Sequence, residues 1–440
     1  MGLKIGIRHE DKYELERRAA ITPKWVEKFK KRRNFEFVVQ SSPKRIFSDE
    51  EYRKAGATVT SDLKNCKVIF GLKEIPLESL EAGKTYVFFS HVIKGQPYNM
   101  PMLKRIMDLG CSLIDYERIV DDQNKRLIFF GKYAGFAGMI NTFWVLGERL
   151  KILGYPNNPF AEIQQAHKYG SLAYAKKQIS AVGRKIMEKG LPDALTPITI
   201  GFTGYGNVST GAQEIANLLP GMELEPEELL KLEHFEKLPK NLIFKIIFKE
   251  DHLMRHKGGG PFDLQDYYNH PENYESDCEK YIPKLSVLLN GMYWDARYPR
   301  IVTKEYMRKA FSKGVPKLMV IGDVTCDPNG SVELTHKGTK INDPVFVYNP
   351  FTQEPTMGIR GEGMPVMAVD ILPSELPKDA SEFFSDALSV FVEPIALADY
   401  SQSFDEIPLP PSLKRALIVH NGKLTPAYQY LEQHLSKLQP

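Results

Sequence analysis

Four short apolar runs punctuate the first 120 residues of the chain, and each hands over to reactive side chains. Leu3–Ile7 leads into a loop that holds Arg18, and Val68–Gly71 runs into Lys73 and Glu74. Tyr86–Phe89 stops just short of His91, and Ser112–Ile114 gives way to Asp115 and Glu117. Runs of this length, rich in Val, Ile and Phe and bounded by turn residues, predict buried strands. Helical stretches separate them, so the predicted sheet is parallel, with its loops gathered at the C-terminal edge. Open α/β sheets bind ligands at that edge. A lysine, a histidine, an arginine and carboxylates are expected to converge there, as acid–base groups beside an anion anchor.

The pattern continues through two α/β domains. Thr22-Pro23 is a helix start, with Thr as N-cap and Pro at the first helical position. Helices are predicted over Ala137–Leu153 and Ala161–Lys189, and the small residues Ala134, Gly135, Ala137 and Gly138 predict a close-packed helix start. Ile198–Thr203 reads as a strand, followed by a glycine-containing loop and a helix through Leu219. Residues 220–240 read as an acidic helical insertion, Leu242–Phe248 as a strand and 257–284 as loop. Val287–Asn290, Leu318–Asp323 and Val366–Val369 supply further strands, and residues 376–440 return to helix. The expected division is a substrate and catalytic domain of residues 1–134 plus 376–440, and a dinucleotide-binding domain of residues 135–375.

Composition narrows the function classes. A chain of 440 residues is long for one core, so two or three domains are the prior. Lys and Arg total 58 against 55 Asp and Glu, a net +3 spread along the chain, which gives no reason to expect nucleic acid. The densest cationic run, Lys28–Arg33, ends an amphipathic helix and reads as a solvated face. Cys66, Cys111, Cys278 and Cys326 lack metal-ligand spacing, so free thiols in a reducing compartment are expected, with no metal site. The first strand is expected to start at Leu3, so no signal or transit peptide is expected in this sequence, and no apolar stretch reaches the roughly 18 residues of a membrane span. A cytoplasmic protein is the expectation, with no membrane partner.

The loop Gly204-Tyr-Gly206-Asn-Val-Ser-Thr-Gly211 departs from the strict G-x-G-x-x-G fingerprint, with Ser209 at the usual place of the third glycine. Its setting between a strand and a helix is the one a dinucleotide site requires. Glycines let the backbone approach a pyrophosphate, and the helix N-terminus favours its charge. Cofactor choice turns on the end of the next strand of the unit. If that strand is Leu242–Phe248, then Lys249 with Arg255, His256 and Lys257 suits a 2′-phosphate, hence NADP(H). If it is Met222–Leu224, Glu223 or Glu225 suits NAD(H). The longer apolar run is the better strand and favours NADP(H).

These residues resemble one family, the lysine-forming saccharopine dehydrogenases, and within it lysine-ketoglutarate reductase, the N-terminal half of bifunctional alpha-aminoadipic semialdehyde synthases. The matching segments include Glu16-Arg-Arg18-Ala-Ala-Ile-Thr-Pro23, Ile69-Phe-Gly-Leu-Lys73-Glu74, Phe88-Phe-Ser-His91-Val-Ile-Lys94 and Ile114-Asp-Tyr-Glu117. Further on come Phe130-Gly-Lys-Tyr-Ala-Gly-Phe-Ala-Gly-Met-Ile140, Leu289-Asn-Gly-Met-Tyr-Trp294 and Gly322-Asp-Val-Thr-Cys-Asp327. The resemblance implies the alanine dehydrogenase fold, two Rossmann-like α/β domains with parallel sheets and a cleft between them. It implies NADPH-dependent coupling of L-lysine with 2-oxoglutarate to give saccharopine. The saccharopine-cleaving half is missing, so a monofunctional reductase or an excised piece is expected. A homo-oligomer stays open, as does a mitochondrial location, because some relatives are mitochondrial and a leader could be absent here.

The resemblance also assigns roles. Lys73 and His91 match the family's acid–base pair, with Glu74 and Glu117 setting the balance between them. Arg18 matches an arginine that forks a substrate carboxylate, a task suited to guanidinium. Arg126 matches a second such arginine, Lys94 and Gln96 follow His91 in the family's spacing, and Asp327 is placed with the substrate. Gly204, Gly206, Asn207, Val208, Lys249, Asn290 and Asp323 fall at cofactor positions, with Tyr293 and Trp294 shaping the nicotinamide pocket. The alternatives are an NAD-linked saccharopine dehydrogenase releasing lysine, an alanine dehydrogenase, and a regulatory protein that binds nucleotide or lysine without turnover.

Overall fold

The computed structural model describes residues 3–33, 35–232 and 238–438. The chain divides into two compact units, Met1–Phe130 with Pro377–Pro440, and Gly131–Leu376.

In the first unit, six strands form in chain order: β1 (Lys4–Ile7), β2 (Glu36–Gln40), β3 (Thr58–Thr60), β4 (Val68–Phe70), β5 (Thr85–Phe88) and β6 (Ser112–Asp115). They pair in parallel in the order β3-β2-β1-β4-β5-β6, so the exits of β1, β4, β5 and β6 lie side by side. The four apolar runs of the sequence are these four strands. The helices α1 (Pro23–Arg33), α2 (Asp49–Lys54) and α3 (Met100–Asp108) fall between strands, and α1 starts at the proline expected to open it.

The C-terminal segment differs from its expectation. The helix Pro377–Leu397 buries Phe384, Leu388 and Val392 in the core of this unit, but residues beyond it return to strand. Leu417–His420 pairs antiparallel with β6, and Lys423–Leu424 pairs with it in turn, so the sheet has eight strands and is mixed rather than purely parallel. A Leu-Ile-Val run of strand formers, all buried, covers the edge that β6 would otherwise leave unpaired.

The second unit opens with two long helices, α4 (Gly131–Ile152) and α5 (Leu172–Lys189). The predicted helix start at Ala161 moves to Leu172. Residues Pro159–Glu162 and Ala166–Lys168 form tight helical turns instead, and Ser171, in extended backbone, caps α5 by accepting from Tyr174 N–H. Its sheet contains β7 (Ile198–Thr203), β8 (Gly221–Leu224), β9 (Ile243–Phe248), β12 (Val287–Asn290), β13 (Val320–Asp323), β14 (Val345–Tyr348), β15 (Pro355–Met357) and β16 (Met364–Met367), with β10 (Met254–His256) and β11 (Tyr274–Ser276) as a separate antiparallel pair. The order β8-β9-β7-β12-β13-β16-β14-β15 runs parallel except at β14 and β15. The helix α6 (Asn207–Ala216) follows β7 and ends earlier than the predicted Leu219.

Small residues set the crossing of α4 and α6. A Cβ on Gly135 would lie 2.0 Å from the Val208 carbonyl oxygen, and one on Gly211 would lie 2.2 Å from that of Lys132. Any side chain at either position forces the helices apart.

Two expectations for this unit need correction. Residues 220–240 are not a helical insertion throughout: Gly221–Leu224 is the edge strand, aligned with Ile243–Ile246, and Pro226–Leu229 is a short helix. The part of that insertion at residues 233–237 lies outside the described residues. Residues 257–284 are not simply loop, because Leu264–Asn269 is helical and Tyr274–Ser276 is β11. Phe262, Tyr267 and Tyr274 pack edge-on or tilted within 5.3 to 5.5 Å of one another and give that segment its own core.

Candidate functional site

The exits of β1, β4, β5 and β6 carry a linked set of charged side chains. After β4, Lys73 is half-buried, and its side chain passes 6.0 Å from the Tyr13 ring. Burial, reinforced by the Arg18 charge, holds its amine below the ordinary lysine value, while Glu74 and Glu16 pull the other way. Glu74 is buried, and its Oε1 accepts from Lys12 Nζ at 2.6 Å and from His91 Nδ1 at 2.9 Å. Burial alone would raise this carboxyl, but the bonds from His91 and Lys12 outweigh it and bring it down to about 2. With Glu74 ionised, Nδ1 of His91 carries the proton and Nε2 is left for other work. The second Glu74 oxygen, Oε2, is buried without a hydrogen-bond partner among the described residues.

His91 leaves β5 in left-handed backbone, at φ 52°. Asn99 holds the turn by donating Nδ2 to the His91 carbonyl at 3.0 Å, and Phe89 lies nearly parallel to the imidazole, 6.2 Å between centroids. Asp115, at the end of β6, joins the two exits: Oδ2 accepts from Ser90 N–H and Oδ1 from Glu117 N–H. Two residues after Asp115, Glu117 pairs with Arg126.

Arg18 is buried and forked onto Glu16, with Nε 2.8 Å from Oε1 and Nη2 2.6 Å from Oε2, and its guanidinium lies over the Phe130 ring at 4.3 Å. Lys73, Glu74 and His91 thus form one group with Arg18 alongside, and Glu117 with Arg126 forms a second at the β6 exit. Lys94 is exposed and makes no ion pair among the described residues, and Gln96 accepts from the Tyr98 hydroxyl at 3.0 Å. Neither joins the Lys73–His91 group.

Sequence reading assigned no role at this edge to Lys12, Glu16 or Glu10, and it placed Asp115 at the β6 exit without its bonds to Ser90 and Glu117. Glu10 is 5% exposed and accepts the backbone N–H groups of Leu72 and Lys73. The only sequence signal was position, since Arg8-His9-Glu10 follows directly from the first predicted strand.

The corresponding edge of the second unit is built differently. Gly204, at φ 77°, turns the chain out of β7 while its N–H bonds the Phe248 carbonyl at 2.9 Å. Gly206 is the N-cap of α6, and no side chain caps it. A Cβ at Gly206 would meet nothing within 4 Å, so the backbone here is open to a close-lying group. Asn207 and Val208 form the first turn of the helix, whose unpaired N–H groups make a place for an anion. This cradle fits a dinucleotide pyrophosphate.

Beside it, a buried polar network ties the ends of β7, β12 and β13. Thr203 Oγ1 donates to Asn290 Oδ1 at 2.7 Å, and Asn290 Nδ2 donates to Asp323 Oδ1 at 2.9 Å and to Ser331 Oγ at 2.7 Å. Thr325 and Thr335 donate to the two Asp323 oxygens, and burial raises the carboxyl against those bonds. Asn290 and Asp323 are committed to one another and to these hydroxyls. Asp327 is exposed four residues further on.

The strand beside β7 is β9, not β8, although β8 comes first along the chain. At its exit Lys249 is exposed and has no acidic partner among the described residues. Glu250 accepts from the Tyr268 hydroxyl at 3.0 Å, and the Tyr205 phenol of the glycine loop bonds the same pair. Arg255 is held by Glu275 at 2.9 Å, and Lys257 Nζ bonds the Glu272 carbonyl at 2.7 Å. Among the described residues no group of His, Cys, Asp and Glu has the arrangement of a metal site, and no helix is long and apolar enough to cross a membrane.

Comparison with known proteins places this arrangement among relatives. The family model for the alanine dehydrogenase/PNT N-terminal domain matches residues 6–137. An alpha-aminoadipic semialdehyde synthase from Arabidopsis thaliana is 40% identical over 443 residues, covering 97% of this chain and 41% of that protein. A saccharopine dehydrogenase [NAD(+), L-lysine-forming] from Yarrowia lipolytica is 28% identical, covering 88% of this chain and 90% of that one. The chain spans less than half the length of the synthases it matches. Among solved structures an L-alanine dehydrogenase superposes with a TM-score of 0.58 at 16% identity, covering 98% of this chain and all of that one. The fold is that of alanine dehydrogenase, as the resemblance implied.

Proposed function

For a chain homologous to alpha-aminoadipic semialdehyde synthases and lysine-forming saccharopine dehydrogenases, we propose NADPH-dependent reductive condensation of L-lysine with 2-oxoglutarate to saccharopine. The observation that carries this reading is the sharing of Glu74 at the β4 and β5 exits: an ionised carboxylate anchors His91, next to a desolvated Lys73.

The reaction needs a neutral amine to attack the keto carbon, a proton delivered to the carbinolamine oxygen as water leaves, and reduction of the resulting imine carbon. Burial favours the neutral form of Lys73, so it can take a proton from the incoming ammonium. His91, with Nδ1 bound to Glu74, offers Nε2 for the proton that the departing oxygen requires. Arg18 presents Nη1, the guanidinium nitrogen that Glu16 does not hold, and Arg126 is the second carboxylate anchor, exchanging Glu117 for substrate. Lys94, Gln96 and Asp327 are assigned to the substrate's outer polar groups.

Bound NADPH supplies the hydride. Gly204, Gly206, Asn207 and Val208 would hold its pyrophosphate, with Asn290 and Asp323 fixing the strand ends beside the nicotinamide. Lys249 would meet the 2′-phosphate. Two observations support NADPH over NADH at β9: Lys249 has no acidic partner among the described residues, and the neighbouring carboxylate of Glu250 already accepts from Tyr268. Glu250 on the same strand exit is what favours the NAD-linked alternative. The length covered in the synthases agrees with this activity being one part of a bifunctional protein.

The test is direct. NADPH absorbance should fall only when L-lysine and 2-oxoglutarate are both present, and the chain should bind NADPH more tightly than NADH. A folded protein that binds NADPH but consumes none with both substrates is a binding protein, and the catalytic reading is lost.

A further inference from the structure

Glu10 has no place in the chemistry above, yet it is a buried acid whose carboxyl bonds the backbone of Lys73 itself. It follows β1 by three residues and turns its carboxyl toward the neighbouring strand exit. Oε1 accepts Leu72 N–H at 2.8 Å and Oε2 accepts Lys73 N–H at 2.9 Å. Each oxygen therefore holds one of two consecutive amides. A carboxylate in that position fixes the peptide plane between Leu72 and Lys73, and with it the direction in which the Lys73 side chain leaves the backbone. Arg8, Glu16 and Tyr116 are the ionisable side chains that face it, and the buried Tyr116 hydroxyl bonds nothing among the described residues. Among the described residues no side chain donates to this carboxyl, so its hydrogen bonding is devoted to the loop.

We infer that Glu10 is a positioning residue for Lys73, acting through the two amides without touching substrate. The inference rests on the reading of Lys73 as an acid–base group. It also has a consequence for pH. Burial pushes the Glu10 carboxyl up to about 7, against the pull of Arg8. Above that value both oxygens accept; below it one becomes a hydroxyl and an amide loses its partner. The hold on the loop therefore loosens as the solution turns acid.

Three variants of the full chain test this: Glu10→Gln, Glu10→Asp and Lys73→Met. Turnover of NADPH with both substrates is followed from about pH 6 to about pH 10. In parallel, acetylation of Lys73 by N-hydroxysuccinimidyl acetate is timed by peptide mass spectrometry. Glu10→Gln, which turns a donor toward one amide, should lower kcat by about tenfold or more, move the acid limb of the profile, and change Lys73 acetylation by about threefold or more. Glu10→Asp, able to reach one amide, should fall between it and the parent. A folded Glu10→Gln protein with kcat, profile and acetylation all within about twofold of the parent overturns the inference.

If neither Glu10 variant folds, amide exchange in the parent decides. Leu72 and Lys73 should be protected about a hundredfold or more near pH 8 and lose that protection near pH 6, and exchange at the rate of a free loop overturns the inference. Lys73→Met reports separately: full turnover in that variant removes the acid–base reading, while exchange and acetylation still judge whether Glu10 holds the loop.

Discussion

The two units present the same kind of sheet edge and furnish it in opposite ways. At the edge of the first, side chains are charged and paired: Lys12 and His91 on Glu74, Arg18 on Glu16, Arg126 on Glu117. At the edge of the second, the centre is a network of hydroxyls and an amide around Asp323, flanked by a glycine turn and an uncapped helix. Charged pairs store protonation states that can be exchanged with a substrate. Backbone N–H groups in a glycine cradle attract an anion without titrating. A parallel sheet thus fixes where ligands go, and the residues just past its strands decide whether the edge moves protons or holds phosphate.

The sharpest way to break this contrast is to remove the titrating groups. Lys73→Met and His91→Gln should each lower kcat by about 10² to 10⁴, the usual contribution of a positioned acid or base, with NADPH affinity unchanged. Steady-state rates and fluorescence titration of NADPH check both halves. Retained turnover in either variant removes the proton-moving role from the first edge.

A large effect on stability should follow at Glu74. Its folded value of about 2 lies below the ordinary carboxylate range, so its contribution is present above the unfolded value and is lost as pH falls through the folded one. The difference in unfolding free energy between the parent and Glu74→Gln should therefore narrow by roughly 3 kcal/mol between about pH 5 and pH 2. Urea unfolding at several pH values measures it. A constant difference over that range means the Lys12 and His91 bonds do not hold the carboxylate as the geometry indicates.

The second edge can be filled without disturbing the fold. A Cβ at Gly206 meets no neighbour, so Gly206→Val should keep the parent's melting temperature to within about 2 °C, since little buried packing changes. It should still weaken NADPH binding by about thirtyfold or more, because the pyrophosphate needs that backbone bare. Unchanged affinity would move the cofactor elsewhere. Lys249→Ala comes next, with a loss of about tenfold for NADPH and under about twofold for NADH, the signature of one charge meeting one phosphate.

How far these edges were legible in the sequence follows from the range of the interactions. The four strand exits could be read because a buried strand writes a short apolar run, and Lys73, His91, Glu117 and the glycine loop stand next to such runs. The partners could not. Lys12 and Glu74 are 62 positions apart, as are Glu10 and the amide of Leu72, and nothing in local spacing joins them. Leu417–His420 was hidden because it follows a long helix and serves only to close an edge. Gly221–Leu224 was legible only as the weaker alternative, Met222–Leu224, because it is an edge strand with three exposed residues and lacks the apolar run by which its neighbours were found.

The smallest expected effect is the one that bears most on cofactor choice. The sequence alone made Lys249, Arg255, His256 and Lys257 a single basic patch within nine residues. In the fold they separate. Arg255 and His256 belong to β10, where Arg255 pairs across the ladder with Glu275 and His256 packs edge-on against Tyr274. Lys257 is tied to a carbonyl by the same segment. An arginine already matched with a carboxylate adds little net field to a nearby phosphate, because the pair is felt as a dipole that falls off quickly and is screened by salt. Arg255→Ala should accordingly change NADPH affinity by less than about twofold, where Lys249→Ala changes it about tenfold. If the two losses are equal, the phosphate is read by the ladder and not by the strand exit, and the second edge extends into the segment around β10 and β11.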